Sequence, residues 1–196
     1  KALQAAGITS KTPDPPNGII VRDPATGEPT GVLKEAAGSL VTKVIPQPTR
    51  AEEIDWLTRA IQYASSLGLT RLISAGADAE RVDLFDEIRQ RGDLTVRLHM
   101  ARFVTPPVSE DRIRVLEENR KKYSDDWIDL SSVKFLLDGV IEARTAAMLE
   151  PYENDRANRG QLYFDPDKYR ESVILLDHLG FSISTHAIGD RAIRIA

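Results

Sequence analysis

The sequence predicts an α/β fold built on a parallel sheet with helical crossovers. From residue 49 onward, four apolar strand-like runs alternate with amphipathic helical stretches. Alternation of this kind implies a parallel sheet. No G-x-G-x-x-G or G-x-x-x-x-G-K-[ST] loop follows any strand, which weakens a nucleotide-binding reading. Two closures stay open at this point, an eightfold barrel and an open doubly wound sheet. A barrel takes about 250 residues, so four strand–helix units amount to half of one.

The elements follow in order. Lys1–Ala6 has helical character. Thr12–Gly18 holds Pro13, Pro15 and Pro16 and reads as a loop. Ile19–Arg22 and Thr30–Lys34 are short strand candidates, and Pro24, Gly27 and Pro29 between them predict a loose hairpin. Residues 1–48 therefore read as a Pro/Gly-rich insert, and residues 49–196 as the α/β unit. Thr49-Arg50-Ala51-Glu52 is a capping box at a helix start. Ile54, Leu57, Ile61, Ala64 and Leu67 follow at helical spacing, and Gly68 stops the helix. Leu69–Ser74 is expected as a strand. Ala79–Arg91 is expected as a helix with Val82, Phe85 and Ile88 on one face. Leu94–Met100 is the next expected strand, and a helix capped by Ser109 runs to about Tyr123. Val133–Leu137 is the third strand. Pro166 fits the first position of a helix ending at Gly180, and Phe181–His186 is the fourth strand. Asp190 is expected to cap a final helix.

Composition narrows the function. The 196 residues carry 26 basic and 30 acidic side chains, a formal net charge of −4. A nucleic-acid binder needs a basic face, so no nucleic-acid partner is expected. No run approaches the roughly 18 unbroken apolar residues of a membrane helix, so no membrane partner is expected. With no cysteine, disulfides, thiolate metal sites and cysteine nucleophiles are excluded. The chain begins at Lys1 rather than Met, without a signal peptide, and ends two turns into a helix. It reads as a piece of a longer protein, with the cytoplasm as its expected compartment.

In parallel α/β folds the chemistry gathers at the carboxyl ends of strands. Ser182, Ser184 and His186 share one face of the fourth strand, and His186 stands at its carboxyl end. A neutral imidazole there suits a zinc ligand, or else it is satisfied by a backbone partner. Lys134 interrupts the apolar run of the third strand and shares a face with Leu136 and Asp138. Burial disfavours its charged form, and a neutral amine can act as a nucleophile or take up carbon dioxide as a carbamate. The alternative is a lysine paired with Asp138 or reaching to solvent. Asp138 opens a long connection carrying Arg144, which can hold an anionic or carbonyl group of a substrate or pair with Glu142 or Glu150. His99 shares a face with Thr95 and Arg97, a position more suited to structure than to chemistry. His178, at a helix C-terminus, belongs on the surface. Neither a Ser-His-Asp order nor a G-x-S-x-G elbow is visible.

Three runs together resemble the amidohydrolase superfamily, in particular its YtcJ-like, or family 3, metal-dependent hydrolases. They are Val133-Lys134-Phe135-Leu136-Leu137-Asp138-Gly139, Arg144-Thr145-Ala146-Ala147-Met148-Leu149-Glu150-Pro151-Tyr152, and His186-Ala187-Ile188-Gly189-Asp190-Arg191-Ala192. The N-terminal stretch Thr26-Gly27-Glu28-Pro29-Thr30-Gly31-Val32-Leu33 is similar as well. The resemblance implies a distorted (β/α)8 TIM-type barrel whose metals sit at the carboxyl mouth. Family ligands are a His-x-His on the first strand, a lysine, often carboxylated, on the fourth, histidines on the fifth and sixth, and an aspartate on the eighth. On this resemblance Lys134 is the fourth-strand metal ligand, His186 is the fifth-strand one, and the chain covers about strands two to five. The sequence has no His-x-His, no histidine after His186 and no eighth-strand aspartate. Val140-Ile141-Glu142-Ala143 departs from the Ser/Gly-rich run expected after the fourth strand.

The expected function of the intact protein is metal-dependent hydrolysis of C–N bonds in an amide, carbamate or cyclic amide. It would use one or two divalent ions, zinc first, act on a small molecule and contact it through Asp138 and Arg144. The piece alone is expected to be inactive and to self-associate as a homo-oligomer. The rival reading is a non-catalytic α/β binding or regulatory domain with barrel-like packing.

Overall fold

The computed structural model describes residues 1–77 and 79–196. The chain forms two compact units, Lys1–Pro48 and Thr49–Ala196. The first opens with helix α1 (Ala2–Ala5). Strands β1 (Gly18–Arg22) and β2 (Pro29–Glu35) then pair antiparallel, with Ile19 opposite Lys34. Asp23 organises the turn between them, accepting from the Ala25 and Thr26 amides at 2.8 and 2.9 Å. A 3-10 turn (Ala36–Gly38) and helix α2 (Ser39–Thr42) complete the unit. Its small core is Ile8, Ile20 and Ala37.

The second unit starts with helix α3 (Arg50–Ser66) on the capping box its sequence announces. Thr49 Oγ1 accepts from the Glu52 amide, and Glu52 Oε2 accepts from the Thr49 amide at 2.8 Å. β3 (Arg71–Ala77), α4 (Ala79–Gln90), β4 (Arg97–Phe103), α5 (Glu110–Tyr123), β5 (Ile128–Leu136), α6 (Pro166–His178), β6 (Ser182–His186) and α7 (Asp190–Ile195) follow. The four strands are parallel and lie in chain order, β3-β4-β5-β6. A doubly wound sheet reverses its order at a switch point. The described strands show no reversal, which is the order of a barrel wall.

Helices cover one face of this sheet. Leu98, Met100, Ile128 and Leu130 meet Ile54, Ile61, Val82 and Ile88 in one core cluster. Val133, Phe135 and Leu137 meet Leu116, Tyr169, Leu176 and Phe181 in a second. The Phe135 ring is fully buried and edge-on to Tyr169, with centroids 5.2 Å apart. The other face carries Ile73, His99, Lys134, Ser184 and His186, as the alternation along each strand dictates. It is the open face, where Ile73 stays 72% exposed.

Several elements differ from expectation; β3 spans Arg71–Ala77 rather than Leu69–Ser74. The ladder of β4 begins at Arg97 rather than Leu94, with Leu94 and Val96 buried in the core ahead of it. β5 begins at Ile128, five residues before Val133. Its pairing with β4 slips by one residue between His99 and Ala101. The extra residue puts Ser131 and Ser132 in succession and breaks the period of two that would have revealed the strand. Asp190 is the first residue of α7, whose N-cap is Gly189. Its carboxylate instead accepts from the Leu149 amide at 2.7 Å.

Replacing Phe135 by Ala is expected to cost about 3–5 kcal/mol, because the surroundings of a buried ring collapse only in part. Removing the Thr49 cap by Thr49→Ala costs about 1 kcal/mol. Urea denaturation of both variants checks the order. Equal losses would mean that Phe135 is not at the centre of the core.

Candidate functional site

The site is built at the carboxyl ends of β5 and β6. In the ladder Lys134 lies opposite Ser184, and Leu136 opposite His186. Lys134 and His186 therefore share the open face on adjacent strands, two residues out of step. Ordinary strand spacing puts their Cα atoms roughly 8 Å apart. Lys134 is half-buried, and among the described residues no carboxylate pairs with its amine. Pairing with Asp138, the alternative open in the sequence, is not what the structure contains.

His186 is 24% exposed at its side chain. Its Nε2 lies 2.9 Å from the Gly139 carbonyl oxygen. A carbonyl only accepts, so Nε2 carries the proton and donates. In the neutral imidazole the lone pair is then on Nδ1. One ring nitrogen held by a backbone carbonyl, with the other left as a base, is the arrangement that prepares an imidazole for a metal.

Asp138 is enclosed. Its side chain is fully buried. Oδ2 accepts from the amides of Ala147 and Gly189, both at 2.8 Å, and Oδ1 accepts from the Ile188 amide at 3.0 Å. The carboxylate is committed to three backbone donors, an arrangement that differs from the substrate contact expected of it. His186 Nε2 lies 3.9 Å from Oδ1.

Arg144 is exposed, on the connection leaving β5. It adopts φ +59°, a left-handed conformation that costs a non-glycine residue of order 1–3 kcal/mol and persists only where its surroundings impose it. The surroundings are dense. Asn158 Nδ2 donates to the Arg144 carbonyl at 3.1 Å, and the Thr145 hydroxyl accepts from the Val140 amide at 3.0 Å. Gly160 is needed beneath the loop, since a Cβ there would sit 1.9 Å from the Ala146 oxygen. Arg144 pairs with neither Glu142 nor Glu150; Glu150 lies 3.9 Å from Arg159.

Deeper in the sheet the structure joins residues that sequence reading left apart. His99 Nδ1 lies 2.8 Å from Asp129 Oδ2, and His99 Nε2 lies 2.7 Å from Ser132 Oγ. The order along the chain is His, Asp, Ser, and the β5 bulge brings Ser132 onto the face of His99. Ser132 is only 4% exposed, so the set acts as a bolt between β4 and β5. Burial raises the Asp129 pKa, but bonds from the Ser131 hydroxyl and amide and from His99 outweigh that and hold the carboxyl below its usual range. On the helix side Arg102 is completely buried. It donates to the carbonyls of Leu116 and Leu130 at 2.9 and 2.8 Å. Burial, with Arg112 and Arg120 nearby, lowers its pKa to about 10, which still leaves it charged at neutral pH. Its parity with Leu98 and Met100 is a signal that could have flagged it. His178 is exposed at the end of α6, as expected.

Lys134 and His186 bring an amine and an imidazole to one face, two groups of the kind that can belong to a larger ligand set. Among the described residues no group of three or more His, Cys, Asp or Glu could hold an ion. Two ligands are half of the four that zinc takes.

A parallel wall in chain order, with polar groups gathered at its carboxyl ends, defines a segment of a β/α barrel. The chain belongs to the amidohydrolases: the family model described as "Amidohydrolase family" matches residues 1–196. It is 32% identical over 196 residues to the Bacillus subtilis (strain 168) protein named "Putative amidohydrolase YtcJ", covering 97% of this chain and 36% of that one. It is 31% identical over 198 residues to "Protein LONG AFTER FAR-RED 3" of Arabidopsis thaliana, covering 97% and 34%. The fold is also that of an uncharacterized metal-dependent hydrolase of Pyrococcus horikoshii, with a TM-score of 0.65 at 22% identity, over 100% of this chain and 37% of the other. The chain spans about a third of the length of each of these proteins.

The depressed pKa of Asp129 carries a pH dependence. A carboxyl more acidic in the folded state contributes stability above its unfolded pKa of about 3.9 and loses it as pH falls through the folded value. Asp129→Asn is expected to lower stability at pH 7 and to flatten the acid limb below about pH 4. Urea midpoints measured from pH 7 to pH 3 test this. An acid limb as steep as that of the unmodified chain would remove Asp129 from the account.

Proposed function

We propose that the whole protein is a metal-dependent hydrolase of C–N bonds in amides, carbamates or cyclic amides, with Lys134 and His186 among its metal ligands. The observation that carries this reading is a lysine amine that pairs with no carboxylate among the described residues, on one face with an imidazole whose Nε2 is held by a backbone carbonyl, at the strand ends of an amidohydrolase-family chain. In this reading β3 to β6 are barrel strands two to five, and the remaining ligands come from other strands of the complete barrel.

Lys134 serves best as a carbamate. Its neutral Nζ adds to carbon dioxide, an N–C bond forms and one proton is released, and the resulting anion offers oxygen ligands. His186 presents Nδ1 while Gly139 holds its Nε2 proton. A divalent cation held by these residues, zinc first in our reading, would supply an activated water and Lewis-acid polarisation of the scissile carbonyl. Arg144 holds an anionic or carbonyl part of the substrate. Asp138 supports the site from below.

Metal analysis by plasma mass spectrometry on the full-length protein, grown with added zinc and bicarbonate, tests the proposal. One to two ions per chain are expected, with loss of metal and activity in Lys134→Ala and His186→Ala. A metal-free full-length protein would overturn the hydrolase reading in favour of a binding role.

The 196-residue chain by itself is expected to self-associate. β3 and β6 are sheet edges among the described strands, and Ile73 and Phe103 expose apolar surface on the open face. Open edges and apolar faces pair unless covered. Size-exclusion chromatography with light scattering should give a dimer or larger species. A folded monomer contradicts this.

A further inference from the structure

We propose that Asp138 is a positioning residue, one buried carboxylate that holds the imidazole of His186 and the Arg144 loop in a single frame. The inference rests on His186 acting as a ligand, as argued above, but the joint itself stands on geometry.

Asp138 follows the end of β5 directly. Two of the amides it binds, Ile188 and Gly189, belong to the turn leaving β6 just after His186. The third, Ala147, lies three residues beyond Arg144. The next residue, Gly139, supplies the carbonyl that takes the His186 Nε2 proton. The same two segments are tied again at their far ends. The Arg191 amide donates to the Ala147 carbonyl at 3.1 Å, and Asp190 accepts from the Leu149 amide at 2.7 Å. Glycine is required at the seams. A Cβ at Gly189 would sit 1.9 Å from the Ala147 oxygen, and one at Gly139 would sit 2.1 Å from the Thr145 hydroxyl. Neither segment can shift without the other. A substrate gripped by Arg144 is thereby indexed to the ligand nitrogen of His186.

The geometry also says why the residue must be Asp. Oδ2 faces two N–H donors and Oδ1 a third, with the His186 Nε2 nitrogen 3.9 Å from Oδ1. An Asn amide turns an NH2 group against at least one of these donors in either orientation. It also removes the negative charge that favours the proton on Nε2.

The experiment uses the full-length protein as wild type, Asp138→Asn, Gly189→Ala, the double variant and His186→Ala. The first readout, on metal-free protein, is the tautomer of the His186 imidazole by nitrogen-15 NMR, assigned by the signal missing in His186→Ala. Wild type should be fixed as Nε2–H, and Asp138→Asn should average between the two tautomers. The second readout is the zinc dissociation constant in a chelator-buffered titration, normalised to folded protein. Asp138→Asn should weaken it about 10- to 100-fold, the usual effect of losing an outer support of a ligand. Gly189→Ala opens the same joint from its other side, so the double variant should lose little more than either single one. An unchanged tautomer in folded Asp138→Asn overturns the proposal. Should Asp138→Asn fail to fold, Gly189→Ala decides by the same tautomer test. A wild type that binds no zinc overturns the metal reading alone, and the tautomer still settles Asp138.

Discussion

A carboxylate enclosed in a protein is costly unless its lone pairs are met. At Asp138 they are met by three backbone amides drawn from two separate segments. The constraint works in both directions. The amides of Ala147, Ile188 and Gly189 would themselves be orphaned without an acceptor, so the turn after β6 and the loop after β5 are stable only where Asp138 lies. The glycines at positions 139, 160 and 189 follow from this, since the segments approach too closely for a Cβ. The left-handed backbone of Arg144 belongs to the same packing.

The two faces of the sheet divide the work. On the helix side, Val133 and Phe135 alternate into the core and set the depth of β5. On the open side, Lys134 and Ser184 occupy the same rung, with His186 two residues further. Alternation therefore turns a hydrophobic pattern into a placement of chemistry. The same residues that anchor the strand in oil aim the amine and the imidazole at the open face. The His99–Asp129–Ser132 set, nearer the amino ends of β4 and β5, keeps that placement rigid by bolting the strands where the bulge disrupts their ladder.

Family membership and local geometry carry different weights. Membership rests on a match across residues 1–196. The proposed site rests on a proton assignment at His186 and on a Lys134 amine that pairs with no carboxylate among the described residues. Neither would stand out without the other. A strand-end histidine is commonplace, and a half-buried lysine is usually paired. Together on one face, at the carboxyl ends of the wall, they carry the proposed metal site.

The sequence by itself determined the class of fold, the starts of α3, α5 and α6, and the alternation that sets Lys134 and His186 on the open face. Those features are local: the capping box at Thr49, Pro166 after Asp165, and the alternation that puts Lys134 out of step with Val133 and Phe135 each follow from neighbours a few residues away. Only the tertiary structure decided the role of Asp138, the partner of His186 and the union of His99, Asp129 and Ser132. Each joins residues some 30 to 50 positions apart. No local pattern encodes such a distance. The start of β5 was hidden for a related reason: the residue that its bulge adds shifts the alternation by one, and only the pairing with β4 shows where the strand resumes.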